Sequence, residues 1–370
     1  MMMSLRKSLI LTLATACATM AQGIEPVAPG RIQDEVGRAG MIAVLLTPND
    51  NHGTPVVLLA GGANFPYAKP DAQTPAERGQ KVFYDELAVL PASLSGADGA
   101  AVTPLLKTAM PRPLGYAAFA ATDKGMVVAG GCNTEGHVSK VTRMELFGTE
   151  LRTEALADMP RSVAYPAFAL LGNKFYVIGG QEKPDSTSCL NNCYVLDLND
   201  VNAGWKELAP MPGGRMLAAA AAMNGVIYVM GGCSLAPDEK GEAVRTYLKD
   251  VLCYDPGSDT WAKVSGEMPE SLVGMANPLP VFKDKIYIIG GDPGNYYRAS
   301  LAGQAPTPHP GQSKAIYSYV PSTNTWTKEG ELSQGVATLP AVQIDGAIYT
   351  ISGETHPGVR TPVIDAFKPE

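Results

Sequence analysis

Charge is scarce in this chain: Asp, Glu, Lys and Arg make up only 18% of the 370 residues, and no stretch is rich in Lys and Arg. With 29 basic against 36 acidic side chains the formal charge is −7, so neither a nucleic-acid backbone nor an anionic membrane surface finds complementary charge here. Histidine is rarer still. The four residues His52, His137, His309 and His356 are scattered and no Cys-x-x-Cys occurs, which gives neither a zinc site nor a Tyr/His/Cys copper set a foothold. After residue 25 no segment approaches the roughly 18 apolar residues that a membrane-spanning helix needs. Low charge together with 45% apolar residues also excludes a disordered chain. The length exceeds the roughly 250–300 residues at which single cores stop growing, so two domains or a repeat architecture are expected.

The first residues stand apart. Arg6 and Lys7 are followed by a small, apolar run over 8–18, and Ala16-Cys17-Ala18 or Thr19-Met20-Ala21 fits a small-x-small cleavage site. Residues 1–21 therefore read as a secretory signal peptide, with 22–370 as the mature, periplasmic or secreted chain. Acylation of Cys17 is the lesser alternative, since Ala14 stands where lipoprotein sites usually carry Leu. Cys132, Cys189, Cys193, Cys233 and Cys253 remain after cleavage, and an odd, irregularly spaced set is no disulfide framework. Cys189 and Cys193 are close enough to pair in an oxidising compartment; buried free thiols are the other reading.

What is abundant is internal repetition. Six apolar, β-rich runs end in small residues: VVLLAGG (56–62), MVVAGG (126–131), FYVIGG (175–180), IYVMGG (227–232), IYIIGG (286–291) and IYTISG (348–353). The steps between their first small residues are 69, 49, 52, 59 and 62. Ahead of most runs lies hairpin chemistry, such as Asn224-Gly225 or Asp345-Gly346. Behind each lies a variable loop, then a strand such as the one through Tyr194 or Tyr254. Next comes a short strand carrying Trp205, Trp261 or Trp326, and in most units a Met-Pro pair leads onward. Each unit is thus a four-stranded antiparallel sheet that cannot bury both faces alone, and stacking six around an axis closes the core. The pattern resembles the kelch repeat, whose period is roughly 50 residues. An all-β, six-bladed kelch-type β-propeller over 22–370 is therefore expected.

The last unit ends near residue 367 without a fourth strand, and the segment 24–32 has no partner in its own unit. This N-terminal segment is expected to supply the missing strand, since an open ring would leave two unpaired sheet edges.

Within each blade the turn between first and second strands is tight and the connection from second to third is long. These long loops share a face with the inter-blade connections, and function is expected there. Arg112, Arg161 and Arg215 fall in the connections, Arg298 and Arg360 in the long loops, and Glu354 directly after the sixth run. The inter-blade arginines read either as ties between blades or as ligand contacts. Glu354 and Arg360 lie in GETHPGVRT (353–361), whose Gly and Pro residues set a compact turn that can bring the two side chains together at the axial mouth. They read either as a site or as an ion pair ordering the loop.

The segment 353–361 resembles the Gly-Glu-x-x-Pro-Gly-x-Arg-Thr motif of the kelch-type N-acetylneuraminate epimerase (sialic acid mutarotase) family, with His356 where Lys is frequent. GGANFP (61–66) and GELSQG (330–335) agree with that family as well. The order of these stretches, Gly-Gly-Ala first and Gly-Glu last, is similar to its cyclically permuted group. The resemblance implies reversible conversion of the α and β anomers of N-acetylneuraminate or a related acidic sugar, without metal or other cofactor. It casts Glu354 as the acid/base and Arg360 as the fork that holds the sugar carboxylate. Arg161, Arg215 and Asn64 are the further expected substrate contacts. The rival from another class is a non-catalytic kelch module binding glycans or proteins through the same loops. A sialidase fits less well, because the segment through Asp255 and Trp261 is the kelch turn and not a Ser-x-Asp-x-Gly-x-Thr-Trp box.

Overall fold

The computed structural model describes residues 23–46, 54–67, 75–95 and 99–370. The expected signal peptide, Cys17 and His52 lie outside these residues. Among the described residues no helix is long and apolar enough to cross a membrane.

Continuous apolar runs form the buried central strands and more polar segments form the outer ones, and these assemble as six antiparallel sheets around one axis. The first blade comprises Ala39–Leu46, Val56–Asn64, Glu86–Pro91 and Leu106–Ala109, and the second Ala118–Thr122, Gly125–Ala129, Val141–Phe147 and Glu150–Leu156. The third, fourth and fifth follow the same order, opening with Ala167–Leu171, Ala219–Met223 and Val281–Phe282. The sixth has Ala341–Ile344, Ala347–Ile351 and Val363–Pro369, and its outer strand is the N-terminal Ile24–Arg31. Antiparallel pairing sets Ile24 opposite Pro369 and Arg31 opposite Val363. The expected six-bladed ring and its N-terminal closure are both present.

The Gly-Gly pairs have a physical cause. In the first five blades the N–H of the second glycine donates to a carbonyl of the following inter-blade connection, at 2.7 to 2.9 Å: Gly62 to Leu114, Gly131 to Val163, Gly180 to Arg215, Gly232 to Leu272 and Gly291 to Val336. Across the closure Gly353 donates to Arg38 at 3.0 Å. A Cβ on Gly130 would sit 2.4 Å from the Val163 carbonyl oxygen and one on Gly290 would sit 2.4 Å from that of Val336, so backbone can meet backbone here only with no side chain between. Met110, Met159, Met211 and Met268, each in a connection, are buried beside this contact. At the sixth blade Ser352 replaces the first glycine. Its hydroxyl oxygen accepts from the Arg38 N–H at 2.8 Å and lies 2.8 and 2.7 Å from the carbonyls of Arg38 and Thr361.

Apolar side chains between neighbouring sheets form a core that runs around the ring, with one cluster joining the first three blades and another joining the sixth to the first. What the repeat did not foretell lies in the long loops. Three of them fold into two-stranded ribbons, Cys132–Asn133 with Gly136–His137, Cys233–Pro237 with Ala243–Tyr247, and Glu354–His356 with Val359–Arg360. A fourth carries the helix Asn295–Leu301.

If Ile24–Arg31 closes the ring, removing residues 1–31 should destabilise the protein by about 3 kcal/mol or more relative to removing 1–22, since several backbone hydrogen bonds worth about 1 kcal/mol each are lost. Calorimetry checks this. The bared edge of Val363–Pro369 should also raise self-association in size-exclusion chromatography.

Candidate functional site

At the start of each inner strand one residue takes a left-handed backbone: Gly40, Tyr116, Tyr165, Leu217, Gly274 and Thr338, with φ between 54° and 64°. Their N–H and C=O groups join in a closed circle. Tyr116 donates to Gly40, Tyr165 to Tyr116, Leu217 to Tyr165, Gly274 to Leu217, Thr338 to Gly274 and Gly40 to Thr338, at 2.5 to 3.1 Å. Four of the six are not glycine, and the circle of bonds offsets the roughly 1–2 kcal/mol that a left-handed L-residue costs. On one side of this annulus is a small apolar cavity of about 50 Å³ walled by Met41, Phe119, Phe168 and Met275. On the other is a mouth of about 690 Å³, open to solvent, where Tyr116, Tyr165, Leu217 and Thr338 form part of the lining.

The residue after each small-residue pair bridges to the residue just before a member of the annulus. Bridges pair Cys132 with Gly115, Gln181 with Ala164, Cys233 with Met216, Asp292 with Val273 and Glu354 with Ala337, and Ala63 pairs with Ala39 in the first blade. Six sequence-distant positions thus become equivalent points on a circle, and Glu354 and Gln181 line the mouth directly.

Glu354 and Arg360 face each other across their ribbon, with Arg360 Nη1 2.6 Å from Glu354 Oε2. The contact is one of close opposite charges and not an aligned hydrogen bond, for Nη1 has no hydrogen-bond partner. The side chain of Glu354 is 21% exposed, that of Arg360 only 2%. Arg360 donates from Nε to the Ala63 carbonyl at 3.4 Å and lies over the Phe65 ring at 5.2 Å. The two residues therefore meet as expected, but Arg360 stands behind Glu354, out of reach of the mouth, and not beside it as a free fork.

The other expected contacts are elsewhere. Arg215 is 3% exposed and makes two parallel hydrogen bonds to Asp250, at 2.9 and 3.0 Å, and a third to the Gly231 carbonyl at 3.1 Å. It ties a connection to its own blade. Arg161 is largely exposed, 3.6 Å from Glu182. Asn64 is buried, donating to the Gly37 carbonyl at 3.1 Å and accepting from the Tyr84 hydroxyl at 2.8 Å, so both ends of its amide are used within the fold. None of Arg161, Arg215 and Asn64 lines the mouth. Arg298 bonds locally to the Pro293 carbonyl and Asn295.

Residues that the sequence did not single out complete the wall: Arg245, His137, Gln181, Asp185 and Glu242. Arg245 lies on the ribbon Cys233–Pro237/Ala243–Tyr247, opposite Leu235. Just outside, Lys81 stands over the Tyr116 ring at 4.3 Å. His137 Nδ1 is 3.0 Å from the Gln181 carbonyl. His356 stacks on His309 at 5.8 Å, and His309 on Tyr296 at 4.2 Å, which clasps the fifth-blade loop to the Glu354 ribbon. Burial lowers the pKa of His137, His309 and His356, and mutual repulsion adds to this for His309.

Cys189 and Cys193 are both free. Cys193 pairs with Ile178 inside a sheet while Cys189 Sγ lies 3.5 Å from the Cys233 carbonyl. Burial pushes the Cys189 thiol up to about 11 and those of Cys193 and Cys233 up to about 12, so thiolate chemistry is suppressed at neutral pH.

Repeat, ring and mouth make the chain a kelch-type β-propeller with an axial cavity. Its resemblance to N-acetylneuraminate epimerases holds: residues 156–307 match the model of that family. An N-acetylneuraminate epimerase of Haemophilus influenzae (strain PittEE) is 31% identical over 236 residues, covering 58% of this chain and 60% of that one. The Pasteurella multocida protein of the same name is 29% identical over 252 residues, with coverages of 60% and 63%. The chain spans about three fifths of the length of these curated relatives. The solved structure of YjhT superposes with a TM-score of 0.48 at 23% identity, over 58% of this chain and 67% of that one.

Two outcomes separate the buried arginine of the connections from the exposed one. Arg215→Met should lower stability by about 3 kcal/mol, because it leaves Asp250 without its partner, whereas Arg161→Ala should cost less than about 1 kcal/mol as an exposed pair; denaturant titration of both variants measures the difference.

The histidines set a pH response. Each is held neutral in the folded chain at a pH where the unfolded chain, with the ordinary value of 6.5, takes up a proton. Their contribution is therefore intact above about pH 6.5 and is lost as pH falls through the lowered values, by at most about 1.4 kcal/mol per pH unit for each. Tm should decline between about pH 7 and 5, and His309→Gln with His356→Gln should flatten the decline in a calorimetric pH series.

Proposed function

We propose that the chain is a sugar mutarotase acting on N-acetylneuraminate or a closely related acidic sugar. The observation that carries this reading is the placement of Glu354: a carboxylate part-exposed on the wall of an axial cavity large enough for a monosaccharide, its position set by a buried guanidinium. Mutarotation needs a group that accepts the anomeric hydroxyl proton as the bond from the anomeric carbon to the ring oxygen breaks, while that oxygen gains a proton. Closure on the other face reverses both transfers. A carboxylate held still beside the anomeric centre serves both steps. Arg360, 2.6 Å away, fixes Glu354 in direction, as a positioning residue behind the acid/base.

Similarity to proteins named N-acetylneuraminate epimerase supports the sugar, and a closed ring keeps the same mouth wherever the chain begins. The leader-like character of residues 1–21 supports an activity outside the cytoplasm as part of this proposal.

The test is proton NMR exchange between sugar anomers. Glu354→Gln keeps size and hydrogen-bonding capacity but cannot exchange a proton at neutral pH. It should lower interconversion about a hundred- to ten-thousandfold with an unchanged fold by circular dichroism. Wild-type rates in the folded variant would remove the catalytic assignment and leave a glycan-binding propeller.

A further inference from the structure

Arg245 is the cation lining the mouth. No carboxylate lies within ion-pair distance of it among the described residues, whereas Arg360, Arg215, Arg38, Arg143 and Arg161 all have acidic partners. The Arg245 guanidinium sits beside the Tyr247 hydroxyl and lines the cavity with no carboxylate in its fork, and a fork binds a planar carboxylate through two parallel N–H donors. The ribbon that carries it is not a loose loop. Its strands pair over five positions from Cys233–Tyr247 to Pro237–Ala243, and the Arg245 N–H donates to the Tyr297 hydroxyl at 2.9 Å. Tyr247 on the same ribbon donates to Asp292 at 2.6 Å. The fourth-blade ribbon is thus propped against the fifth-blade helix and holds Arg245 in place.

The rest of the wall sharpens the point. Asp185, Glu242 and Glu354 line the same cavity, so without Arg245 the charged side chains of the lining itself would all be acidic, with Lys81 standing outside over the Tyr116 ring and Arg360 held behind its own partner. Resting on the mutarotase reading above, we propose that Arg245, not Arg360, receives the carboxylate of the acidic sugar and sets the preference for acidic over neutral sugars.

The experiment compares N-acetylneuraminate with its carboxyl methyl ester, which keeps the ring and loses the charge. Anomer exchange is followed by NMR and binding by calorimetry on the full chain. Wild-type protein should favour the acid about tenfold or more. Arg245→Gln should raise KM for the acid by a similar factor, leave kcat at saturation and KM for the ester near wild type, and so abolish the preference. Arg245→Lys should restore part of it, in a salt-sensitive way. Retention of the acid preference in a folded Arg245→Gln variant would overturn the proposal, as would a wild-type protein that interconverts acid and ester equally well; in both cases the mutarotase reading stands. A wild-type protein that accelerates neither sugar removes that reading, and this proposal with it.

Discussion

A single backbone contact governs the molecule: the N–H of the second small residue after each central strand, donated to a carbonyl of the next connection. It joins each blade to its neighbour at the rim of the axis, and its closeness is what forces Gly-Gly there. Because the same contact recurs around the ring, the inner strands begin at one level, and the six left-handed residues can bond to one another in a circle. The annulus in turn gives the mouth its floor. Packing between the sheets supplies bulk stability, but the position of everything at the mouth is set by this backbone weld.

From it follows the chemistry available. The residue after each weld takes an equivalent place beside the annulus, and the chain puts different side chains there: alanine, two cysteines, glutamine, aspartate and glutamate, of which the glutamine and the glutamate line the mouth. Asp292 is spoken for by Tyr247 and the Gly294 N–H; the two buried cysteines keep their protons. Only Glu354 pairs partial exposure with a buried cation behind it. Equivalent backbone positions with unequal side chains are how a symmetric scaffold acquires one asymmetric site.

The propeller, its six units, the closing strand and the meeting of Glu354 with Arg360 were legible in the residues, because periodic apolar runs, small-residue pairs and a Gly/Pro-bounded turn are local signals. Which arginine faces the cavity was not. Arg161, Arg215, Arg245 and Arg360 look alike in sequence; only packing shows that Asp250 absorbs one, Glu354 another and solvent a third. Arg245 escaped notice because it sits in a long connection with no motif, and its ribbon is defined by pairing across Asp238 to Gly241 and by a tyrosine from another blade. Asn64 shows the reverse error: a stretch that matches a family can owe its match to holding the fold, as the bonds of this amide to Gly37 and Tyr84 do.

The clasp that closes the ring also determines how the molecule responds to force. The first described residue and the last are neighbours, with the Glu370 N–H bonded to the Gly23 carbonyl at 3.2 Å and the two terminal strands antiparallel from that point. Tension applied between these residues meets the ladder one rung at a time, as a zipper, and never shears several rungs together. A ring whose joints are alike at equilibrium therefore has one mechanically weak seam. It opens from the Ile24–Pro369 end toward the Arg31–Val363 end, and the Ser352 hydroxyl, which touches both Arg38 and Thr361, lies past that far end, where the unzipping arrives last.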